Sequence, residues 1–384
     1  MSKIVNYTLY KVPPRWLFLK LETDDGLVGW GEPVLEGRVE VIEAAVKELM
    51  DNYILGNDPA DIEGLWQLMY RGGFYRGGPV LMSALAGIDQ ALWDIKGKKL
   101  GVPVYELLGG KSRNKVKVYK WLGGDSPRIS EDEVKELINI GFRAFKMNLS
   151  GKLEFIDNLS KVKEIVQRVS KLRELLGDEI DFALDFHGRV SAPMAVEIAR
   201  AIESFHPLFI EEPVFPEDIE GLKKLRKQTA LPIALGERLY SRWDFKPFLE
   251  YGVVDIIQPD ISHAGGITEV IKIAHLAETY GAFVAIHCPL GPIALAASLN
   301  VAFSTYNYLI QETSLGMHYN KNIELLDYIK NKEVFRIENG YIKAFETPGL
   351  GVDIDEGVVK EMTKIAVNWK NPVWRHDDGS LAEW

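Results

Sequence analysis

The chain has 384 residues, 47% hydrophobic and 26% charged, an ordinary globular composition with room for one large domain and a smaller one. Its 45 basic and 55 acidic residues give a net charge of −10 with no dense Lys/Arg patch, which argues against nucleic-acid binding. No stretch reaches the roughly 18–20 apolar residues of a membrane span, the first residues lack a signal peptide's apolar segment, and the single cysteine, Cys288, suits a reducing compartment, so a cytoplasmic location is expected.

Residues 5–12, 16–22 and 27–32 read as a strand meander, broken by Pro13-Pro14 and by Asp24-Asp25-Gly26. Helical periodicity follows over 39–53 and 82–98, with Gly101 and Pro103 ending the second helix. Residues 1–114 therefore read as an α+β domain. From about 115 short apolar runs recur with a helix after each, at 116–121, 142–147, 180–186, 208–211, 232–236, 254–258, 283–286 and 308–311. Eight such runs within about 200 residues favour a (β/α) barrel over an open doubly wound sheet, and 115–329 is assigned to it. The tail, 330–384, has a hairpin-like pattern at 335–345 and an aromatic end. It is expected to dock on the first domain.

The last residues of six consecutive strand runs are Asp185, Glu211, Glu237, Asp260, His287 and Glu312, spaced 26, 26, 23, 27 and 25 apart. In a parallel barrel these ends share one mouth, where active sites of that fold lie. Any one buried acid is as readily a structural ion pair, but so many carboxylates in one cavity require a cation. Asp185, Glu211 and Glu237 are hard oxygen donors with no Cys or His in register, which selects Mg²⁺, with Mn²⁺ also fitting. Glu212 should face away from Glu211 and is expected to pair with Lys146. Asp260 is placed to orient His287 as a base, and His187, two residues past Asp185, should share its face at the mouth while Phe186 packs outward. His263 and His318 follow strand ends, where either could touch a ligand; His206 and His275 carry less weight. No His-x-His pair supports a metal-dependent amidohydrolase. A non-catalytic sugar-acid-binding barrel would have no use for Asp260 and His287 beside a metal triad.

This constellation resembles the mandelate-racemase subgroup of the enolase superfamily. Further likeness lies at Ile88-Asp89-Gln90-Ala91-Leu92-Trp93-Asp94, at residues 101–110 and at Gln258-Pro259-Asp260 followed by Gly265-Gly266. Within the subgroup the likeness is to sugar-acid dehydratases, through Pro13-Pro14-Arg15-Trp16, residues 74–79, 184–193 and 287–292, Trp374-Arg375-His376 and residues 381–384. The resemblance implies an enolase-type modified barrel, (β/α)7β, under an α+β capping domain. It implies Asp185, Glu211 and Glu237 as Mg²⁺ ligands, His287 as base with Asp260 as its partner, His187 as general acid, and Glu312 bonded to the substrate carboxylate. The implied activity is a hydro-lyase acting on a small aldonic acid, in a family whose barrels often form even-numbered homo-oligomers. Racemases of the subgroup end the second barrel strand in Lys-x-Lys; here Lys146-Met147-Asn148 stands there, and asparagine cannot take a proton, which argues against two-base racemisation. Arg15 and Trp16, on an expected capping loop, and Tyr75, Lys146, Asn148 and His318 are the candidate substrate contacts. Arg15 and Trp16 read equally well as ordinary strand-start residues.

Overall fold

The computed structural model describes residues 2–125, 127–320 and 322–384. It opens with an antiparallel meander, β1 (Ile4–Val12), β2 (Trp16–Thr23) and β3 (Val28–Gly31). Four helices follow, α1 (Val39–Leu49), α2 (Ile62–Arg71), α3 (Gly78–Leu100) and the single turn α4 (Val104–Leu107). Helix α3 is longer than the 82–98 periodicity. Pro79 suits its first turn, where no N–H partner is needed, and Gly101 ends it with φ 70°. It is buried on nearly every side, so its sequence has little polar stripe to read. Strand β3 lies so close to it that a Cβ at Gly31 would sit 1.8 Å from the Gly87 carbonyl oxygen. Only a glycine allows that approach.

The barrel strands are β4 (Lys115–Leu122), β5 (Ala144–Asn148), β6 (Asp181–Asp185), β7 (Ile210–Glu211), β8 (Ile233–Leu235), β9 (Ile256–Ile257), β10 (Phe283–Val284) and β11 (Gln311–Thr313). Between them run α5 (Glu131–Ile140), α6 (Leu159–Leu176), α7 (Ala192–Ile202), α8 (Ile219–Arg226), α9 (Arg242–Glu250), α10 (Gly266–Thr279) and α11 (Pro292–Ser304). Neighbours from β4 to β10 pair in parallel and β11 pairs with β4. A parallel bridge between Val284 and Tyr308 closes the circle. Among the described residues eight strands and seven intervening helices make this a (β/α)7β barrel. No helix among the described residues is long and apolar enough to cross a membrane.

One residue from each strand run packs in the barrel interior: Tyr119, Ala144, Ala183, Phe209, Ala234, Ile256, Ala285 and Ile310. Four are alanines and four are large, which fills the interior and leaves no pore. The alternate residues, Phe145, Phe182, Leu184 and Phe186 among them, belong to the core between strands and helices.

The C-terminal segment does not dock on the capping domain alone. The hairpin β12 (Ile337–Glu338) and β13 (Tyr341–Lys343) pairs with the barrel, β13 lying antiparallel on residues 115–117 of β4. Strand β4 begins ahead of both its barrel neighbours, whose pairing starts at Val118 and Lys120, and the overhang leaves backbone groups that β13 satisfies. Helix α12 (Glu356–Thr363) does reach the capping sheet, where Glu356 accepts a hydrogen bond from the Tyr10 hydroxyl at 3.2 Å and pairs with Lys20 at 3.1 Å. The last pieces, β14 (Trp374–Arg375) and β15 (Leu381–Ala382), bring residue 384 to the barrel mouth.

A helix that follows a parallel strand starts at the mouth side of the barrel, with its first N–H groups unpaired. The capping domain supplies acceptors for two such starts. Glu32 accepts from Gly291 N at 2.6 Å and Ala294 N at 2.9 Å at the head of α11, and Asp89 accepts from Thr268 N at 3.0 Å in the first turn of α10. Burial pushes the Glu32 carboxyl up to about 8 and the Asp89 carboxyl up to about 7, against the pull of these N–H groups, so what each acid supplies is a hydrogen-bond acceptor. Glu32→Ala leaves two buried donors without partners, and a loss of about 2–4 kcal/mol in unfolding free energy is expected from denaturant titration. Glu32→Gln keeps one acceptor and should lose less.

Candidate active site

Two residues beyond the interior layer, each strand run presents its next inward position: Trp121, Lys146, Asp185, Glu211, Gly236, Gln258, His287 and Glu312. Four of the six residues picked out by strand spacing stand in this layer; Glu237 and Asp260 do not. Glu237 follows Gly236, whose φ is 144°, and a Cβ there would lie 2.6 Å from Phe245 and 2.8 Å from Gln258 N. The turn at this glycine is what swings Glu237 into the cavity. Asp260 sits one layer higher, joined to His287 by a parallel bridge.

Lys146 lies at the centre of the layer, its Nζ 2.9 Å from Glu211, 3.2 Å from Glu312 and 3.6 Å from Asp185, all buried. The expected Glu212–Lys146 pair is not formed. Lys146 points inward with Glu211, whereas Glu212 points the other way and pairs with Arg238. Gln258 donates to the second Glu211 oxygen at 2.7 Å. Burial and then the charges of Asp185, Glu237 and Glu312 push the Glu211 carboxyl well above the usual carboxylate range, against the pull of Lys146. Burial acts on Asp185 in the same direction, but His187 and Lys146 outweigh it and hold that carboxyl low.

His287 Nδ1 lies 2.8 Å from Asp260, which fixes the ring, and its Nε2 faces Glu237 at 3.0 Å. Burial opposes its charge, yet Glu237, Asp260 and Glu312 raise its pKa to about 10. Glu312 is anchored by the Cys288 N–H at 3.0 Å. His187 is beside Asp185, but not because a strand repeats every two residues. The chain turns, His187 has φ 53°, its N–H donates to Asp185 Oδ1 at 2.8 Å and its Nε2 comes 3.2 Å from Oδ2. Its Nδ1 faces Arg189 at 3.1 Å and the carbonyl oxygen of Trp384 at 3.2 Å. Burial lowers the His187 pKa, and Asp185 more than reverses this, so it lies above its ordinary value.

These groups line a cavity of about 230 Å³ between barrel and capping domain, where Lys146, Asp185, His187, Glu237, His287 and Glu312 meet Arg15 and Glu36. Arg15 is buried there, stacked between Tyr319 and Trp369 at 4.4 and 4.9 Å, with Nη2 3.4 Å from the Pro289 carbonyl oxygen. Trp16 is not at the mouth: strand alternation sends it into the core against Phe18 and Tyr328. Tyr75 is 86% exposed between α2 and α3, away from the cavity. His318 packs on Trp121 and Tyr319 behind the cavity wall. Asn148, opposite Asp185 in the β5–β6 register, is fully buried and neither side-chain amide atom has a partner. Trp384, Glu36, Arg238 and Tyr240 also line the cavity. They lie on loops or the returning tail, outside any strand periodicity.

The donor chemistry fits a divalent cation. Three carboxylates end the adjacent strand runs β6, β7 and β8, a set of hard oxygen donors at one end of the barrel. Among the described residues no three such groups stand as a preformed ligand shell, because Lys146 and His287 engage the carboxylates instead. Lys146→Met should leave Asp185, Glu211 and Glu312 facing one another and cost about 3–5 kcal/mol in chelator. Added Mg²⁺ should then raise the melting temperature of the variant more than that of the parent, read by thermal scans with and without EDTA. A pH effect is also expected from His263, whose pKa is raised to about 9 by Asp260 and Glu36 against burial. Stability from a raised histidine is complete below its unfolded value of about 6.5 and is lost as pH rises through 9. Denaturant titrations across that window should fall with pH, less steeply in His263→Asn.

Residues 130–358 match the enolase C-terminal domain-like family, and residues 12–109 match the mandelate racemase / muconate lactonizing enzyme N-terminal domain. An enolase of Agrobacterium radiobacter, named a "putative galactarate dehydratase" and solved with sodium and L-malate, is 32% identical over 100% of both chains, with a TM-score of 0.91. A "putative dehydratase" of Mesorhizobium loti is 31% identical over 94% of this chain and 98% of its own, with a TM-score of 0.86. One of Zymomonas mobilis is 30% identical over the same shares, with a TM-score of 0.85. With both domains matched and the mouth of the barrel carrying carboxylates and histidines on successive strands, the chain belongs to the enolase superfamily, with an N-terminal domain of the mandelate racemase / muconate lactonizing type.

Proposed function

We propose that this chain is a divalent-metal-dependent sugar-acid dehydratase that converts D-galactonate to 2-dehydro-3-deoxy-D-galactonate and water. The observation that carries the reading is one cavity lined by two imidazoles, each held on its own carboxylate, His287 on Asp260 and His187 on Asp185. One acid and one base are what an elimination needs. Asn148, at the end of β5, leaves no second base there for racemisation.

His287, oriented through Nδ1 by Asp260, takes the C2 proton at Nε2, which would be free to accept it when Glu237 is engaged by a cation instead of facing that nitrogen at 3.0 Å. The C2–H electron pair is first taken up by the carboxylate as an enediolate, then returns to form the C2–C3 double bond as the C3–O bond breaks. His187 gives its proton to the departing hydroxyl, which leaves as water, because hydroxide is a poor leaving group. Glu312, held by the Cys288 N–H, and the Lys146 ammonium bracket the substrate carboxylate while charge builds on it. The product enol then tautomerises to the 2-keto acid. A divalent cation held by Asp185, Glu211 and Glu237 would offset their charge and stabilise the negative charge that develops on the carboxylate.

The naming of similar chains as dehydratases supports the reaction class, and L-malate, bound by one of them, is itself a 2-hydroxy acid. D-galactonate is preferred because the sugar-acid dehydratases that those long motifs resemble are D-galactonate dehydratases; D-gluconate and related aldonic acids differ only in hydroxyl configuration. Galactarate enters from the name of the Agrobacterium chain.

The test is a panel of D-galactonate, D-gluconate, related aldonic acids and galactarate, with Mg²⁺ and with EDTA, assayed for 2-keto-3-deoxy products. Turnover of D-galactonate ahead of the others, abolished by EDTA, is expected. His287→Asn should lower kcat by about 10²–10⁴-fold. Activity that persists in chelator would sink the metal requirement, and full activity in His287→Asn would sink the base assignment.

A further inference from the structure

His263 takes no part in the chemistry above, yet it is buried beside it. It sits on the turn after β9, its backbone N–H bonded to the Asp260 carbonyl oxygen at 3.1 Å. Its ring meets both domains. Nδ1 is 3.0 Å from the Ser83 hydroxyl on α3, and Nε2 is 3.2 Å from Glu36 Oε2, on the loop between β3 and α1. On the barrel side Nε2 faces Asp260 Oδ2 at 3.9 Å, the same oxygen that holds His287 Nδ1. The other Asp260 oxygen is tied by the Ser262 N–H at 2.7 Å. That turn is itself gripped from the capping domain, where Gln90 donates to the Ser262 hydroxyl at 3.0 Å and to the Ile261 carbonyl oxygen at 3.4 Å.

The carboxylate that orients the base is thus fixed by a turn whose side-chain contacts come largely from the other domain. We infer that His263, paired with Glu36, is a positioning residue that makes the alignment of the Asp260–His287 dyad depend on the docked capping domain. The inference rests on the dehydratase reading for its kinetic arm only. Glu36 and His263 both line the cavity wall, so a substrate-contact role is the competing account. A positioning role predicts a loss of kcat with little change in KM; a contact role predicts the reverse. Displacing a catalytic group by about 1 Å can cost about 10²-fold in rate.

The experiment compares the parent with His263→Phe, His263→Gln, Glu36→Gln and Ser83→Ala in the full chain with Mg²⁺. Two readouts are taken, steady-state kinetics on the preferred sugar acid and the imidazole N–H proton resonance of His287, assigned by its loss in His287→Asn. Expected is a fall in kcat of about 10–100-fold in His263→Phe with KM within about threefold. Glu36→Gln and Ser83→Ala should be milder, and His263→Gln, which keeps a donor, should recover part of the rate. The His287 N–H resonance should shift and exchange faster with water in His263→Phe. A KM effect without a kcat effect, or an unchanged His287 resonance in a folded His263→Phe protein, overturns the proposal. Should no sugar acid be turned over, the dehydratase reading fails, and the resonance alone decides the positioning role.

Discussion

The molecule is organised by an obligation at the barrel mouth. Among the described residues seven helices begin there, and each starts with N–H groups that have no partner inside the helix. At α10 and α11 the partners are carboxylates of another domain, Asp89 and Glu32. Both acids are buried, so they cannot be withdrawn to water without leaving donors unsatisfied. Around them Trp66 donates to the Gly265 carbonyl oxygen at 2.8 Å and Trp93 to the Thr268 hydroxyl at 2.9 Å. The capping domain is therefore keyed to one place and one orientation, and the cavity below it has a defined roof.

Beneath that roof the chemistry is a matter of charge. Carboxylates from β6, β7 and β11 share one ammonium, Lys146, which belongs to the same inward layer. The two histidines differ in what they face: His287 lies between Asp260 and Glu237, and His187 between Asp185 and an arginine. Their separate electrostatic settings follow from that difference. Placing the groups on strand ends, and locking each with a neighbour, gives the rigidity that proton transfer at a chosen atom requires.

Much of this was readable from spacing. A strand–helix unit has nearly constant length, so residues at strand ends recur about every 25 positions, and Asp185, Glu211, His287 and Glu312 fall in one layer for that reason. Periodicity fails where the chain leaves the strand. Glu237 and Asp260 keep the spacing only across irregular turns beyond their strands, and His187 stands beside Asp185 through a turn with positive φ. Trp16 reads equally as a capping-loop and as a strand-start residue, and the structure takes the second reading: it begins β2 and is buried, away from the cavity. Contacts between distant segments, such as Glu36 with His263 or Trp384 with His187, leave no local pattern at all. They depend on how two domains and a returning tail meet.

Gly236 has a bearing on how such a mouth can diversify. Trp121, in the same layer and outside the proposed chemistry, can be exchanged for another side chain and retune the cavity by degrees. Position 236 has no such gradation, because any Cβ collides with Phe245 and with the backbone of the next strand, in a conformation that other residues rarely adopt. A change there would move the carboxylate that follows it instead of altering its own contact. The layer thus has seven inward positions that carry side chains and one fixed hinge that carries none.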